Sequence, residues 1–231
     1  SYNLERITHY SYSLLLDEQQ IGVKFGMSHQ SAIYELQFER NDAVSLILST
    51  GSGELKWDGR ALSGFQQLAN ETRVFVYMEP EVVPKKVEAL ENKDLLEKSN
   101  ARGDQASLVL NYPQGTSSIR LRYGISFIDE RQARANMERE ILEKTAKELQ
   151  DTGRALWNEA LGKIRVKGGS EDERIVFYTS LYRCYERPVC ISEDGRYFSA
   201  FDGKVHDDQG RPFYTDDRSE ERRVGKECAT G

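Results

Sequence analysis

The chain lacks any apolar run near the roughly 20 residues that a membrane-spanning helix requires. It also lacks a basic stripe: its net charge is -6, and neutralising nucleic-acid phosphates needs clustered Lys and Arg. We therefore expect neither a membrane-spanning segment nor a nucleic-acid partner. The sequence has three cysteines, and their spacing matches no zinc motif, so we expect unpaired thiols.

Short catalytic motifs are missing as well. The sequence has no Gly-rich phosphate loop, no His-Glu-x-x-His segment and no Gly-x-Ser-x-Gly elbow. Carboxylates are plentiful, but nothing in the composition pairs two of them across a cleft, as glycoside hydrolysis requires. The motifs alone therefore identify no catalytic residue.

A two-residue alternation of apolar and other side chains runs from Tyr10 to about Ile128. Such alternation places one set of side chains on a core face of a strand and the other set on the opposite face. Turn-forming residues separate seven to nine such runs at short spacing, which predicts an antiparallel β-sandwich rather than βαβ units. We interpret the Lys/Glu-rich segment 81–98 as a surface excursion.

At Asp129 the apolar pattern changes to a helical one. Asp129 and Gln132 have the spacing of a capping box, and the apolar stripe that follows predicts one amphipathic helix of about thirty residues. A second helix is predicted from about Glu171 to Glu186, with Ser170 or Asp172 as its cap and Pro188 beyond its end. The residues after Pro188 are predicted to form an irregular, polar, aromatic-rich loop.

Acidic and aromatic side chains are concentrated in this last stretch. Its carboxylates and His206 could form a sugar or calcium site, although a solvated acidic loop is the simpler interpretation. The aromatic residues at 178–185 have helical spacing and are expected in the core, whereas those at 197–214 could line a pocket.

Four segments in order along the chain resemble one known family. They are Gly124–Asn136, Trp157–Leu161, Phe177–Tyr182, and a last one made of Gly195–Tyr197, Gly203–His206 and Pro212–Asp217. In the first segment the matching positions are Ser126, Ala133, Arg134 and Asn136. Together they resemble glycoside hydrolase family 92, the calcium-dependent exo-acting α-mannosidases.

The resemblance implies three parts. These are an antiparallel β-sandwich domain over residues 1–128, a long linker helix over 129–169, and the start of an (α/α)₆-barrel catalytic domain over 170–217. The resemblance also implies removal of α-linked mannose from glycans by an inverting mechanism that depends on Ca²⁺. It places the catalytic carboxylates after Asp217, so no catalytic residue or metal ligand is assigned here and the chain alone is expected to be inactive.

Five residues are predicted to contact substrate on the same grounds. They are Tyr197, Asp202, His206, Tyr214 and Asp216. A mannose-containing glycan is the expected partner. A periplasmic or secreted location is expected because bacterial members of the family are usually exported.

Residues 218–231 are interpreted as a non-native tail. The segment Arg218–Cys228 reads as the translation of eleven consecutive codons of a common sequencing-library adapter. Two other functions stay open. One is a non-catalytic carbohydrate-binding or interaction module built on the sandwich, and the other is a different two-domain sugar enzyme, such as a phosphorylase.

Overall fold

The computed structural model describes residues 2–68, 72–91 and 93–215. Contacts divide the chain into two compact units. The first unit contains Ser1–Leu156 and Ala200–Gly203, and the second contains Trp157–Ser199 and the residues from Lys204 onward. The domain boundaries predicted after residues 128 and 169 stay predictions.

Within the described residues, the first unit contains thirteen β-strands. They are β1 (Tyr2–Ile7), β2 (Tyr12–Leu16), β3 (Ile21–Met27), β4 (Ser31–Phe38), β5 (Ser45–Ser49), β6 (Gly53–Trp57), β7 (Leu62–Gln67), β8 (Arg73–Pro80), β9 (Lys86–Glu91), β10 (Asp94–Leu96), β11 (Asn100–Gly103), β12 (Ser107–Asn111) and β13 (Ser118–Ser126). The expectation of seven to nine strands was too low, because strands of three to five residues are too short for alternation to stand out in the sequence.

These strands form two antiparallel sheets. The larger has nine strands in the order β1-β2-β3-β4-β13-β8-β7-β6-β11, and the smaller has four in the order β10-β9-β12-β5. Side chains from both sheets share one buried core, in which Leu108 and Leu110 of β12 pack with Ile119 and Leu121 of β13. The predicted antiparallel sandwich is therefore confirmed, and the alternation from Ile119 onward correctly identified a core face.

The segment 81–98 is not a surface excursion. It contains β9 and β10, and Ala89 of β9 is fully buried against the core. The charged residues that suggested exposure lie on the opposite face of β9, where they bind one another: Lys86 Nζ lies 2.8 Å from Glu88 Oε1, and Asn111 Nδ2 donates to Glu88 Oε2 at 3.0 Å. Charge pairing on one face of the strand hid a short apolar alternation on the other.

The predicted long helix is two helices, α1 (Glu130–Ile141) and α2 (Ala146–Leu161). Asp129 caps α1 as predicted, because its Oδ1 accepts the Gln132 N–H at 2.7 Å. The predicted helix is interrupted after Ile141 by a capping box at Thr145, a position that the sequence pattern had included in the apolar stripe. Thr145 Oγ1 accepts the Glu148 N–H at 3.2 Å, while Glu148 Oε2 accepts the Thr145 N–H at 2.8 Å. This reciprocal pair begins a new helix at Ala146.

Among the described helices, none is long and apolar enough to cross a bilayer.

The Thr145–Glu148 capping box predicts a pH dependence of stability. The N–H and then the hydroxyl of Thr145 hold the pKa of Glu148 below its ordinary value of 4.5. A lowered folded-state pKa stabilises the fold above the unfolded-state pKa, and that stabilisation is lost as pH falls through the folded-state value. We expect Glu148→Gln to be less stable than the parent at pH 7 and the two to converge in acid, as measured by urea denaturation at several pH values. A stability difference between the two proteins that stays constant down to pH 2 would contradict this expectation. Glu143→Gln, which changes an exposed residue outside the capping box, is the control.

One face of the nine-stranded sheet is covered by α1 and the first turn of α2. Ala133, Met137 and Ile141 of α1 and Ala146 and Leu149 of α2 are buried in this second core. Two glycines permit the close approach. A Cβ on Gly124 would overlap the carbonyl oxygen of Ala133, and a Cβ on Gly26 would lie 2.6 Å from the carbonyl oxygen of Ala146. At these two positions the helix and sheet backbones are therefore so close that no side chain carrying a Cβ fits between them.

A buried polar network also attaches α1 to the sheet. Asn136 is fully buried, and its Nδ2 donates to the carbonyl oxygen of Ile125 in β13 at 2.9 Å. Its Oδ1 accepts from Gln132 Nε2 at 3.0 Å and from Arg139 at 2.9 Å. Asn136, one of the residues that carries the family resemblance, thus fixes the position of α1 along β13.

Arg134, another of these residues, lies beside a buried tyrosine. Its guanidinium carbon is 5.4 Å from the ring centre of Tyr77, whose hydroxyl donates to Glu79 Oε1 at 2.8 Å. Burial, together with the neighbouring Glu79 carboxylate, raises the pKa of Tyr77 to about 12. The phenol therefore keeps its proton and acts as a structural donor at neutral pH.

Candidate functional site

The second unit is built around helix α3 (Glu171–Cys184). Ser170 caps it with a complete capping box, because Ser170 Oγ accepts the Glu173 N–H and Glu173 Oε2 accepts the Ser170 N–H. Its aromatic face packs on the end of α2: the rings of Tyr182 and Trp157 are 4.7 Å apart, and Tyr185 Oη donates to the carbonyl oxygen of Ala160 at 3.3 Å. The aromatic residues expected in the core thus join the two helices, although none in α3 is fully buried.

The stretch after Pro188 is not an irregular loop. It contains two antiparallel pairs, β14 (Val189–Cys190) with β17 (Tyr214–Thr215) and β15 (Arg196–Ser199) with β16 (Lys204–Asp207). Gly203 has a φ of +68°, which only glycine adopts at no steric cost, and it lies in the turn that reverses the chain between β15 and β16. β15 has only four residues, with Tyr197 and Phe198 adjacent, so it shows no alternation that the sequence could reveal.

Three rings stack here and are called the aromatic stack: Tyr197 and His206 of the β15–β16 hairpin, and Phe213 just before β17. Tyr197 and His206 are opposite each other on β15 and β16, with ring centres 5.5 Å apart. Phe213 lies parallel to Tyr197, at 4.1 Å between ring centres and 2° between ring planes. Its backbone is held from both sides, because its N–H donates to Ser192 Oγ at 2.8 Å and its carbonyl oxygen accepts from the Ile191 N–H at 2.9 Å.

The structure brings two of the five predicted substrate contacts together, Tyr197 and His206. Tyr214 follows Phe213 in the chain and pairs through β17 with Cys190. Asp202 is exposed in the turn between β15 and β16, and Asp216 lies outside the described residues. The role of all five in substrate binding stays a prediction.

The exposed ring surface of this site is on Phe213 and Tyr214 rather than on Tyr197. Phe213 covers one face of Tyr197, whereas Phe213 is itself 42 % exposed and Tyr214 is 55 % exposed. Flat apolar surfaces beside polar groups are suited to a sugar ring, which has C–H faces and hydroxyl edges. Sequence reasoning included Phe213 among the aromatic residues at 197–214 that could line a pocket, but not among the five predicted substrate contacts.

A buried carboxylate was also missed. Glu193 is 1 % exposed, and it pairs through its backbone with Arg196, whose carbonyl oxygen accepts the Glu193 N–H at 2.6 Å. A side chain so enclosed does not meet a substrate in this conformation. We therefore treat Glu193 as part of the support for β15 rather than as a contact residue.

The residues described do not provide a metal centre. Within 2–68, 72–91 and 93–215, no three His, Cys, Asp or Glu side chains lie close enough together to hold an ion. The calcium implied by the family resemblance therefore finds no fitting ligand set in this part of the chain, and no chemical step is derived through it here.

Comparisons with known proteins agree on one family. The family model of the "Glycosyl hydrolase family 92 catalytic domain" matches residues 132–219. No curated protein sequence matches the chain. Among solved structures, the family GH92 inverting mannosidase BT2199 from Bacteroides thetaiotaomicron VPI-5482 has a TM-score of 0.82 at 22% identity, over 91% of this chain and 30% of its own.

Two further structures have the same fold. The family GH92 α-mannosidase BT3965 from Bacteroides thetaiotaomicron has a TM-score of 0.83 at 17% identity and covers 93% of this chain and 32% of its own. The gh92 family glycosyl hydrolase ccman5 has a TM-score of 0.82 at 20% identity and covers 93% of this chain and 33% of its own. The chain thus spans about a third of the length of these enzymes.

The sandwich and the two helices on its larger sheet give the chain the fold of the corresponding part of solved glycoside hydrolases, and the matched segment comes from a glycoside hydrolase domain model. More particularly, residues 132–219 match the catalytic-domain model of glycoside hydrolase family 92, and the chain has the fold of part of the solved proteins of that family. The family resemblance noted in the sequence is therefore confirmed. The match begins inside α1, so the helices that cover the sheet belong to the matched segment too.

Proposed function

We propose that the chain is part of an enzyme that removes α-linked mannose from glycans with inversion of the anomeric carbon. The observation that carries this proposal is the extent of the catalytic-domain match, which runs from α1 through α3 and the aromatic stack. Two similar solved proteins support the substrate and the stereochemistry, since one is described as an inverting mannosidase and the other as an α-mannosidase. We also propose that the enzyme is exported.

The second unit would contribute to substrate binding rather than to bond cleavage. Phe213 and Tyr214 offer exposed ring surface to the apolar face of a sugar, and Tyr197 positions Phe213. His206 lies at the edge of the stack, where its ring nitrogens are suited to a hydroxyl. We propose hydrogen bonds from substrate hydroxyls to Asp202 and Asp216 as well.

Inversion requires two carboxyl groups on opposite sides of the bond, separated by roughly 6.5–9.5 Å so that water enters between them. The family resemblance places this pair after Asp217, and we propose that the calcium ligands come from outside the described residues too. The chain by itself is therefore expected to be inactive.

The proposal is tested by following the anomer that is released. The complete reading frame of the gene and the 231-residue chain are assayed separately with an α-mannobioside, and the product is observed by proton NMR before it mutarotates. We expect β-mannose first from the complete protein, no mannose from the chain alone, and loss of activity on chelation of calcium. Release of α-mannose first, or binding of the mannoside without hydrolysis by the complete protein, would contradict the proposal. The latter result would favour the carbohydrate-binding module.

The aromatic stack is tested in the same assay. In the complete protein, Phe213→Ala is expected to raise KM about tenfold with a smaller effect on kcat, since stacking on a ring is lost in the bound substrate and the transition state alike. Tyr197→Leu should act in the same direction because Phe213 loses its support. Phe201→Ala removes a fully exposed ring from the turn and serves as the matched control.

A further inference from the structure

A groove on the first unit is not used by any function described so far. It has a volume of about 580 Å³ and lies on the nine-stranded sheet, between β1–β4 and β13. Nine polar residues line it, namely Arg6, Ser13, Lys24, Glu35, Gln37, Glu39, Glu81, Ser118 and Arg120. The volume falls within the roughly 300–1,000 Å³ that is typical of small-molecule sites.

Cross-strand pairing aligns the charged residues of the groove in one row. Lys24 of β3 is opposite Glu35 of β4, and Glu35 is opposite Arg120 of β13. Directly opposed residues in antiparallel strands project from the same face, so these side chains form a continuous polar surface. The row lies on the face that carries the helices, because Glu35 Oε1 accepts the Ala146 N–H at 3.2 Å.

Contacts within the row hold Arg120 in place. Its Nε lies 3.3 Å from Glu35 Oε1, and its second guanidinium nitrogen lies 3.3 Å from Glu81 Oε1. The side chains of Arg120 and Glu35 are each 27% exposed, so both are half-buried yet reach the groove. A guanidinium held between two carboxylates keeps further N–H donors for a ligand, and each carboxylate keeps free acceptor positions.

The charges of the groove balance. The cations Arg6, Lys24 and Arg120 face the anions Glu35, Glu39 and Glu81. A balanced set of this kind favours a neutral ligand, because an anion meets the carboxylates and a cation meets the guanidinium. The many donors and acceptors require a ligand that is rich in both.

The remaining lining supplies apolar surface and space. Leu4 and Leu15 line the groove beside the polar row. Gly22 leaves a gap, since a Cβ there would touch only Gln37, at an ordinary 3.6 Å. A flat molecule with apolar faces and hydroxyl edges satisfies all these features.

We propose that this groove is a binding site for a neutral oligosaccharide, separate from the aromatic stack. The sugar hydroxyl oxygens accept hydrogen bonds from Arg120, Lys24 and Gln37. The hydroxyl groups also donate hydrogen bonds to Glu35 and Glu81. The site holds one part of a glycan by hydrogen bonding and carries no chemistry of its own. The choice of manno-oligosaccharides as the first ligands to test rests on the proposed function, but binding at the groove does not require hydrolysis.

The test is titration of the 231-residue chain with manno-, gluco- and oligogalacturonic acid oligosaccharides, by calorimetry and by NMR. We expect a neutral series to bind and the acidic series to bind at least tenfold more weakly. Arg120→Ala should weaken binding about tenfold, as expected for loss of a charge-assisted hydrogen bond. Lys24→Ala should act in the same direction, and Gly22→Leu, which fills the gap, should abolish binding.

Lys56→Ala on β6 is the matched control, because Lys56 is an exposed lysine on another strand of the same sheet and is expected to leave affinity unchanged. The circular dichroism spectrum of each variant shows whether it is folded. The proposal is overturned if neither neutral series binds, if the acidic series binds as tightly, or if folded Lys24→Ala and Gly22→Leu bind like the parent. If the chain binds a neutral oligosaccharide but the complete protein has no mannosidase activity, the proposed function is wrong and the groove proposal stands.

Discussion

Replacing Gly124 with alanine is expected to destabilise the first unit by about 3 kcal/mol, at the upper end of what overpacking usually costs. The added Cβ would overlap the carbonyl oxygen of Ala133 and approach the Met137 nitrogen at 2.9 Å and its Cβ at 3.0 Å. Two of these three neighbours are backbone atoms of α1. They cannot rotate away, so the whole helix must move off β13.

Urea denaturation followed by circular dichroism measures the change, which should appear as a lower midpoint with an unaltered slope. Gly22→Ala is the matched control, since its Cβ meets only Gln37 at 3.6 Å and alanine in a strand loses less conformational entropy than glycine. We expect Gly22→Ala to be neutral or slightly stabilising. Equal stability of Gly124→Ala and Gly22→Ala would show that α1 does not lie this close to the sheet.

Replacing Asn136 with alanine is expected to cost about 2 kcal/mol, since it removes hydrogen bonds from buried polar groups. The carbonyl oxygen of Ile125 loses its 2.9 Å donor, and Gln132, itself buried, loses the acceptor of its Nε2. The better helix propensity of alanine offsets only a few tenths of this loss. Urea denaturation of the variant measures the net effect.

A double-mutant cycle distinguishes the network from simple loss of volume. Gln132→Ala and Asn136→Ala should together cost less than the sum of the single changes, because each removes the same hydrogen bond. Asn100→Ala, an exposed asparagine in edge strand β11, is expected to have little effect. Additive costs in the cycle would rule out a shared network.

Local signals in the sequence were sufficient for much of the fold. The alternation from Ile119 in β13 identified the sandwich, the cap at Asp129 gave the start of α1, and Ser170 was one of the two caps predicted for α3. These features depend on residues close together in the chain. A side chain that caps its own helix needs no distant partner, so sequence reasoning finds it directly.

The errors have a common cause, which is that a local pattern was outweighed by a specific contact. Thr145 fits an apolar stripe at every fourth position, but its hydroxyl accepts a backbone N–H and begins α2. Ala89 is buried because β9 pairs with β12, a partner about twenty residues away along the chain. Neither outcome follows from periodicity alone.

The candidate site was less predictable than the fold. Tyr197 and His206 were predicted substrate contacts and lie on opposite strands of one hairpin, whereas Phe213, which stacks on Tyr197, was predicted only as possible pocket lining. Its position depends on hydrogen bonds to Ser192 and Ile191, which the sequence pattern does not reveal. Stacking geometry is a property of the tertiary fold, whereas the mere presence of aromatic residues can be read from the sequence.

The four-stranded sheet ends at β5, whose sequence Ser-Leu-Ile-Leu-Ser has no charged residue, and Ile47 at its centre is 59% exposed. Within the described residues, its outer backbone groups pair with no further strand. Proteins usually protect an edge strand from further pairing with a lysine, a proline or a β-bulge. An unprotected edge strand can pair with a strand of a second molecule. Purification at high concentration therefore carries a risk of intermolecular sheet growth at β5, and a lysine in place of Ile47 is the simplest remedy.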